Sequence, residues 1–225
     1  MSTFSVKARP FDFEAPTEST ALVVIDMQND FCNEQGYLAL GGADVSLVRG
    51  SVEPIRKVLE VVRRLGLLVI FTRESHRPDL SDLPAVKQAM VARHGVRIGD
   101  PGPLGRILIR GSKSNEIIEE LQPLSGEIVI DKSGKGAFYG TDLEILLRTR
   151  GITHLVFTGV TTNVCVQSTI REAADRGFWN LVLEDATAAI SQELHKSSLE
   201  LLTYRGIFAQ ASSSEDLLKA LPKPR

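Results

Sequence analysis

Apolar positions along this chain gather into six short unbroken runs. They are ALVVID (21–26), GLLVIFT (66–72), EIVIDK (127–132), HLVFTG (154–159), NLVLED (180–185) and GIFAQA (206–211). Most are rich in Val, Ile, Leu or Phe, and each is bounded by Gly, Asp, Asn or Thr. A half-exposed strand would alternate apolar and polar residues, so continuous runs predict strands buried on both faces, as in a parallel sheet. Between the runs the spacing changes to three and four. Ile55, Val58, Leu59 and Val62 mark one helix, ending at Gly66. Leu143, Leu146 and Leu147 mark a second, with Thr141 placed to cap it and Gly151 to stop it. Leu194, Leu199 and Leu202 mark a third, again ahead of a glycine. Alternating strand and helix predict a three-layer α/β/α sandwich around a six-stranded, mostly parallel sheet.

No repeat, low-complexity tract or linker divides the chain, and 225 residues suffice for one large core. We therefore expect a single domain over 1–225, with an N-terminal arm (1–19) and one long polar, Gly- and Pro-rich insert (73–112). Loops of that length inside a domain are usually functional or mobile. A net charge of -2 with no basic stripe argues against nucleic-acid or membrane-surface binding. No apolar run approaches the ~18 residues of a membrane span, and the first residues lack a signal-peptide layout. Two cysteines are no disulfide framework, so free thiols in a reducing cytoplasm are expected.

Ligands of open α/β sheets bind beyond the carboxyl ends of the strands. The first run ends in Asp26, the third in Asp131-Lys132, and the fourth leads to Cys165 at the head of a helix. An acid, an ammonium and a thiol can meet there. A helix N-terminus and a lysine both favour the thiolate and are expected to lower the thiol pKa. Asp26 can take the thiol proton and return it to a leaving amine. Exposed N–H groups of the VTTNVC turn can hold an oxyanion. No step needs a metal or a cofactor, and neither is expected.

Each residue also has a plainer reading. Asp26 can merely terminate a strand, and Lys132 can be a solvated strand-end lysine. Cys32 reads as structural. The four histidines are not spaced as ligands: His76 falls in the long insert and His94 near its end, while His154 and His195 lie in or beside regular elements and read as surface rather than catalytic. Gly134 and Gly136 around Lys135 lack the rest of a phosphate loop, and no GxGxxG follows the first strand.

Three blocks carry a family resemblance: ALVVIDMQNDFC, DKSGKGAFYGTDLEILLRTRGI and HLVFTGVTTNVCVQSTIREAADRGFWNLVLEDATAA. In content and order they resemble the signatures of the isochorismatase-like cysteine hydrolases. The resemblance implies an Asp26–Lys132–Cys165 triad, a cis peptide before Thr161, and an oxyanion hole from the N–H groups of Thr161 and Cys165. It also implies a homo-oligomer, a dimer or tetramer. The metal-binding DxH…H constellation of nicotinamidases is missing from FTRESHRPDL, and Cys165 favours C–N hydrolysis over vinyl-ether cleavage.

The inserts look most like those of biuret and triuret hydrolases. The expected reaction is therefore metal-independent hydrolysis of a small ureide with release of ammonia. An N-carbamoyl-amino-acid, ureidoacrylate or maleamate amidase is the alternative, and a non-catalytic binding protein the reading from another class. Gln28, Phe31, Phe138, Asn163 and Arg205 are candidates to bind substrate. Phe31 and Phe138 can equally be core. Arg205 can equally serve as a helix-end cation.

Overall fold

A computed structural model describes residues 2–222. The six apolar runs become one sheet of strands β1 (Thr20–Ile25), β2 (Leu68–Glu74), β3 (Ile128–Lys132), β4 (His154–Val160), β5 (Trp179–Ala188) and β6 (Gln210–Ser212). All adjacent pairs are parallel, in the order β6-β5-β4-β1-β2-β3. The fold is thus the expected α/β sandwich on a six-stranded parallel sheet. Successive residues of β1 point to opposite faces. Leu22 and Val24 pack with Ile55, Val58 and Leu59, whereas Ala21, Val23 and Ile25 pack with Leu143, Ile170 and Leu199. Both faces are covered, which is why the runs carry no polar alternation.

The helices fall where the spacing put them. Helix α1 (Val52–Arg64) ends at Gly66, whose φ of +69° suits a residue without Cβ. The insert contributes α2 (Ala85–Ala92), followed by α3 (Leu143–Thr149), α4 (Gln167–Asp175), α5 (Gln192–Thr203) and α6 (Ser214–Ala220). The N-cap of α3 is Asp142, one residue after the expected Thr141, whose hydroxyl oxygen still accepts a hydrogen bond from the Leu143 N–H at 3.2 Å. Ser191 does the same for Leu194 at the start of α5.

Three segments differ from the sequence reading. Strand β2 runs two residues further than expected, to Glu74, because its backbone continues to pair with Asp131 and Lys132. Strand β6 begins at Gln210 rather than 206, since Arg205 and Gly206 both take positive φ and turn the chain out of extended structure. The N-terminal arm folds as an antiparallel hairpin, Thr3–Val6 with Phe13–Pro16, burying Phe4, Val6 and Phe13. Beyond it, Arg9 exchanges two backbone hydrogen bonds of 2.9 Å with Ala211 on the edge strand β6. Pairing an edge strand this way removes a surface open to other chains.

The sheet order reverses between β1 and β4. In a doubly wound sheet that switch point opens a crevice at the carboxyl ends. Asp26 follows β1 directly, and Cys165 follows β4, so the topology alone brings them to one place.

Candidate active site

Asp26 takes a φ of +51°, turning the chain sharply at the end of β1. Its carboxylate is fully buried. Oδ1 accepts from the Thr72 hydroxyl at 2.7 Å, while Oδ2 is held by the Lys132 ammonium at 2.7 Å and by no other donor. Lys132, equally buried, closes β3 and also donates to the Gly134 carbonyl at 3.2 Å. Burial pulls the Lys132 pKa down, but Asp26, Cys165 and Glu74 outweigh it and lift it above the usual range. Lys132 is therefore an ammonium.

Cys165 sits within a π-helical turn, Thr162–Val166, that leads into α4. The Val160–Thr161 peptide before it is cis, as the family resemblance implied. Cys165 is 4% exposed, and carboxylate oxygens of Asp26 and Glu74 lie within 4.8 Å of its sulfur and of each other. Here the structure corrects one expectation. Burial pushes the Cys165 thiol well up, and Asp26 and Glu74 add to that, against Lys132 and Lys135. Desolvation of the anion thus exceeds the pull of the cations, and the resting group is a protonated thiol.

Glu74 is the residue the sequence reading missed. It is 2% exposed at the end of β2, beside Lys132 in register. Its Oε2 accepts from Cys165 Sγ at 3.8 Å. Lys87 of α2 reaches Oε1 at 2.6 Å, and Lys135 reaches both oxygens, at 2.9 and 3.1 Å. Burial alone would raise the Glu74 pKa, but Lys135, Lys87 and Lys132 hold it far below the usual carboxylate range. Extending the second strand by two residues was the available signal, since it puts a carboxylate at the crevice like the other strand ends. Tyr37 faces the same cluster. Burial raises its pKa, Lys135 opposes this, and Glu74, Asp30 and Cys165 add to it.

Asp26, Glu74 and Cys165 are spaced as metal ligands are. The negative charge of the two carboxylates is already met by the ammonium groups of Lys132, Lys87 and Lys135 at 2.6–2.9 Å. A divalent cation would have to displace lysines that are themselves buried or pinned, so the donor set fits lysine charges better than an ion.

The other candidates divide. Gln28 is buried, and its amide is taken up by backbone: Nε2 donates to the Glu74 and Asn115 carbonyls at 3.1 Å, and Oε1 accepts from the Glu74 N–H at 2.7 Å. It grips Glu74. Phe31 is buried edge-to-face with Tyr37. Phe138 packs beside Phe178 in the cluster that contains Cys165. Asn163, two residues before Cys165, has a buried Oδ1 with no hydrogen-bond partner among the described residues.

Arg205 does not join the site of its own chain. It is exposed and follows α5, which runs back from the carboxyl edge, so it lies at the amino edge, where its neighbour Gly206 packs beside Pro10 and Phe11. His76, in the insert, is fully buried. Cys32 is buried in the core, its thiol pushed up to about 12 by burial.

Fold and site together define an α/β protein with a buried Asp–Lys–Cys cluster at the switch point of a parallel sheet. The isochorismatase domain model matches residues 20–216, and the chain belongs to that family. It is 36% identical over 187 residues to the ureidoacrylate amidohydrolase RutB of Yersinia enterocolitica, covering 81% of this chain and 80% of that one. The crystal structure of a cysteine hydrolase from Pseudomonas syringae pv. phaseolicola superposes with a TM-score of 0.79 at 28% identity, covering 92% and 93% of the two chains. N-carbamoylsarcosine amidase from Thermoplasma acidophilum gives a TM-score of 0.66 at 30% identity, covering 88% and 97%.

Proposed function

We propose that this protein is a cysteine amidohydrolase cleaving a C–N bond of a small carbamoyl or ureido compound. The observation that carries this is the buried thiol of Cys165 with the Asp26 carboxylate within 4.8 Å and the Lys132 ammonium 2.7 Å from that carboxylate. Because the thiol is protonated at rest, attack requires a base, and Asp26 is that base. It takes the Sγ–H proton as sulfur bonds to the carbamoyl carbon. Lys132 then neutralises the charge left in the crevice, and the N–H groups of Thr161 and Cys165 receive the oxyanion. As the C–N bond breaks, Asp26 returns the proton to the departing nitrogen. A water that Asp26 deprotonates cleaves the resulting S-carbamoyl intermediate, a thiocarbamate, and the proton returns to sulfur to regenerate the thiol.

Among substrates, the similarity to a ureidoacrylate amidohydrolase and to an N-carbamoylsarcosine amidase supports a carbamoylated acid ahead of biuret or triuret. A closed polar site can separate such compounds strongly, since a mismatched one leaves buried groups unpaired.

Ammonia release from ureidoacrylate, N-carbamoylsarcosine, maleamate, biuret, triuret and nicotinamide tests the proposal, with Cys165→Ser measured beside the native protein. Release from a carbamoyl acid that is lost in the variant is the expected result. Release from biuret or triuret alone would keep the chemistry and return the substrate to the neutral ureides. Silence throughout, or release unaffected by Cys165→Ser, would overturn it.

A further inference from the structure

The insert between β2 and β3 sends one charged side chain inward. Lys87 of α2 makes three contacts with its ammonium group: the Glu74 carboxylate at 2.6 Å, the Ser133 carbonyl at 2.6 Å and His76 Nε2 at 2.9 Å. An ammonium has three donors and no acceptor, so His76 Nε2 must accept, and its Nδ1–H then points to Asp82 Oδ1 at 3.2 Å. A continuous chain Asp82–His76–Lys87–Glu74–Cys165 results, and every link before the sulfur belongs to residues 74–87. None of it follows from the Asp26–Lys132–Cys165 arrangement. Among the described residues, Lys87 pairs with neither Asp26 nor Cys165, and its one carboxylate partner is Glu74.

We propose that Lys87 is a positioning residue for the reaction: carried in by the insert helix, it acts through Glu74 to hold the Cys165 thiol in place and to limit the negative potential at the sulfur. This rests on the reading of Cys165 as nucleophile. Around that sulfur stand Asp26 from β1, Glu74 from β2, Lys132 from β3, Lys135 from the loop after it, and Tyr37, with Lys87 and His76 behind Glu74. Lys135 is 45% exposed in its side chain, whereas Lys87 is 14% exposed. Both lysines neutralise Glu74, and Lys87 is the one better shielded from solvent. Without it, the Glu74 carboxylate keeps the half-exposed Lys135 as its direct counter-charge, and the thiolate beside it becomes harder to form. His76 is neutral in this role, since burial and Lys87 both hold its pKa down against Asp82.

The test is the second-order rate of Cys165 alkylation by iodoacetamide at fixed pH, read by mass spectrometry of the Cys165 peptide. Lys87→Met should slow alkylation by about tenfold, the effect of roughly one pKa unit on thiolate fraction. Lys87→Arg, which keeps the charge, should recover most of that loss. Glu74→Gln removes the carboxylate and should act in the opposite direction, speeding alkylation. In the Glu74→Gln background, Lys87→Met should have a much smaller effect. If Lys87 merely pinned the insert down, its loss would open the site and accelerate alkylation. Faster or unchanged alkylation in Lys87→Met, or a Lys87→Arg variant no better than it, would overturn the proposal. So would a slower Glu74→Gln, a result that stands even if Lys87→Met does not fold. The readout needs no substrate. A silent amide panel with this pattern intact would therefore fail only the proposed function, and turnover without the pattern would fail only this inference.

Discussion

At the scale of single residues, the site is governed by the cost of burying charge. Asp26, Glu74, Lys132 and Cys165 are all within a few per cent of complete burial. An unpaired charge there would be expensive, so each carboxylate meets an ammonium. With that role filled by lysines, chelation by EDTA should leave amide turnover unchanged, as a coupled ammonia assay would report. Asp30 shows the same physics with another sign. Burial lifts its carboxyl to about 6, against the hydrogen bond it accepts from the Leu108 N–H at 2.9 Å. A raised carboxyl pKa means the folded chain binds more protons than the unfolded chain between roughly pH 4 and 6, so this group's contribution falls as pH rises through that window. Asp30→Asn should therefore gain on the native protein by about 2–3 kcal/mol between pH 4 and 7, the value of some two pKa units in urea unfolding.

At the scale of elements, close approach decides more than propensity. Gly159, one residue before the end of β4, has a φ of +104°, and a Cβ there would lie 2.0 Å from the Ile25 carbonyl oxygen on β1. Neither backbone can retreat without parting the strands that carry Asp26 and Cys165. Gly159→Ala should cost about 3 kcal/mol or more and disturb the site, combining a positive-φ penalty with a backbone clash. Thermal unfolding and Cys165 alkylation together would register both effects. Helix α5 offers a milder case. Its cap is a single hydrogen bond, from the Leu194 N–H to Ser191 Oγ at 3.1 Å. Ser191→Ala should lower stability by about 1 kcal/mol in a denaturant titration.

At the scale of the whole molecule, the N-terminal hairpin is part of the core rather than an appendage. Phe4, Val6 and Phe13 join the cluster containing Leu22, Val156 and Leu217. Burying such side chains contributes about 1.5–3 kcal/mol each. Deleting residues 2–16 should thus destabilise the fold by on the order of 5 kcal/mol and uncover the edge strand β6, which light scattering on heating would reveal. Acid acts on the opposite end of the sheet. The Glu74 pKa is depressed by three lysines, so its stabilisation is complete above the unfolded carboxylate range and is lost as pH falls below about 4.5. Glu74→Gln should flatten that part of the acid-unfolding curve followed by circular dichroism.

Much of this protein was legible in its sequence, for local reasons. Unbroken apolar runs identify strands covered on both faces, and three- and four-residue spacing identifies the helices between them. Strand ends in a parallel sheet are where side chains enter a crevice, so Asp26, Lys132 and Cys165 could be picked out together before any coordinates. The residues that escaped depend on the path of the chain between elements. Glu74 reaches the sulfur only because β2 keeps pairing for two residues past its apolar run, and Lys87 only because an irregular insert folds α2 back onto Ser133 and His76. Arg205 was placed by its nearness in sequence to β6, but α5 returns the chain to the amino edge before that strand begins. The ionisation of Cys165 was also beyond the sequence. A lysine and a helix N-terminus argue for a thiolate, yet the balance is set by how completely water is excluded, and that is a property of the packed molecule.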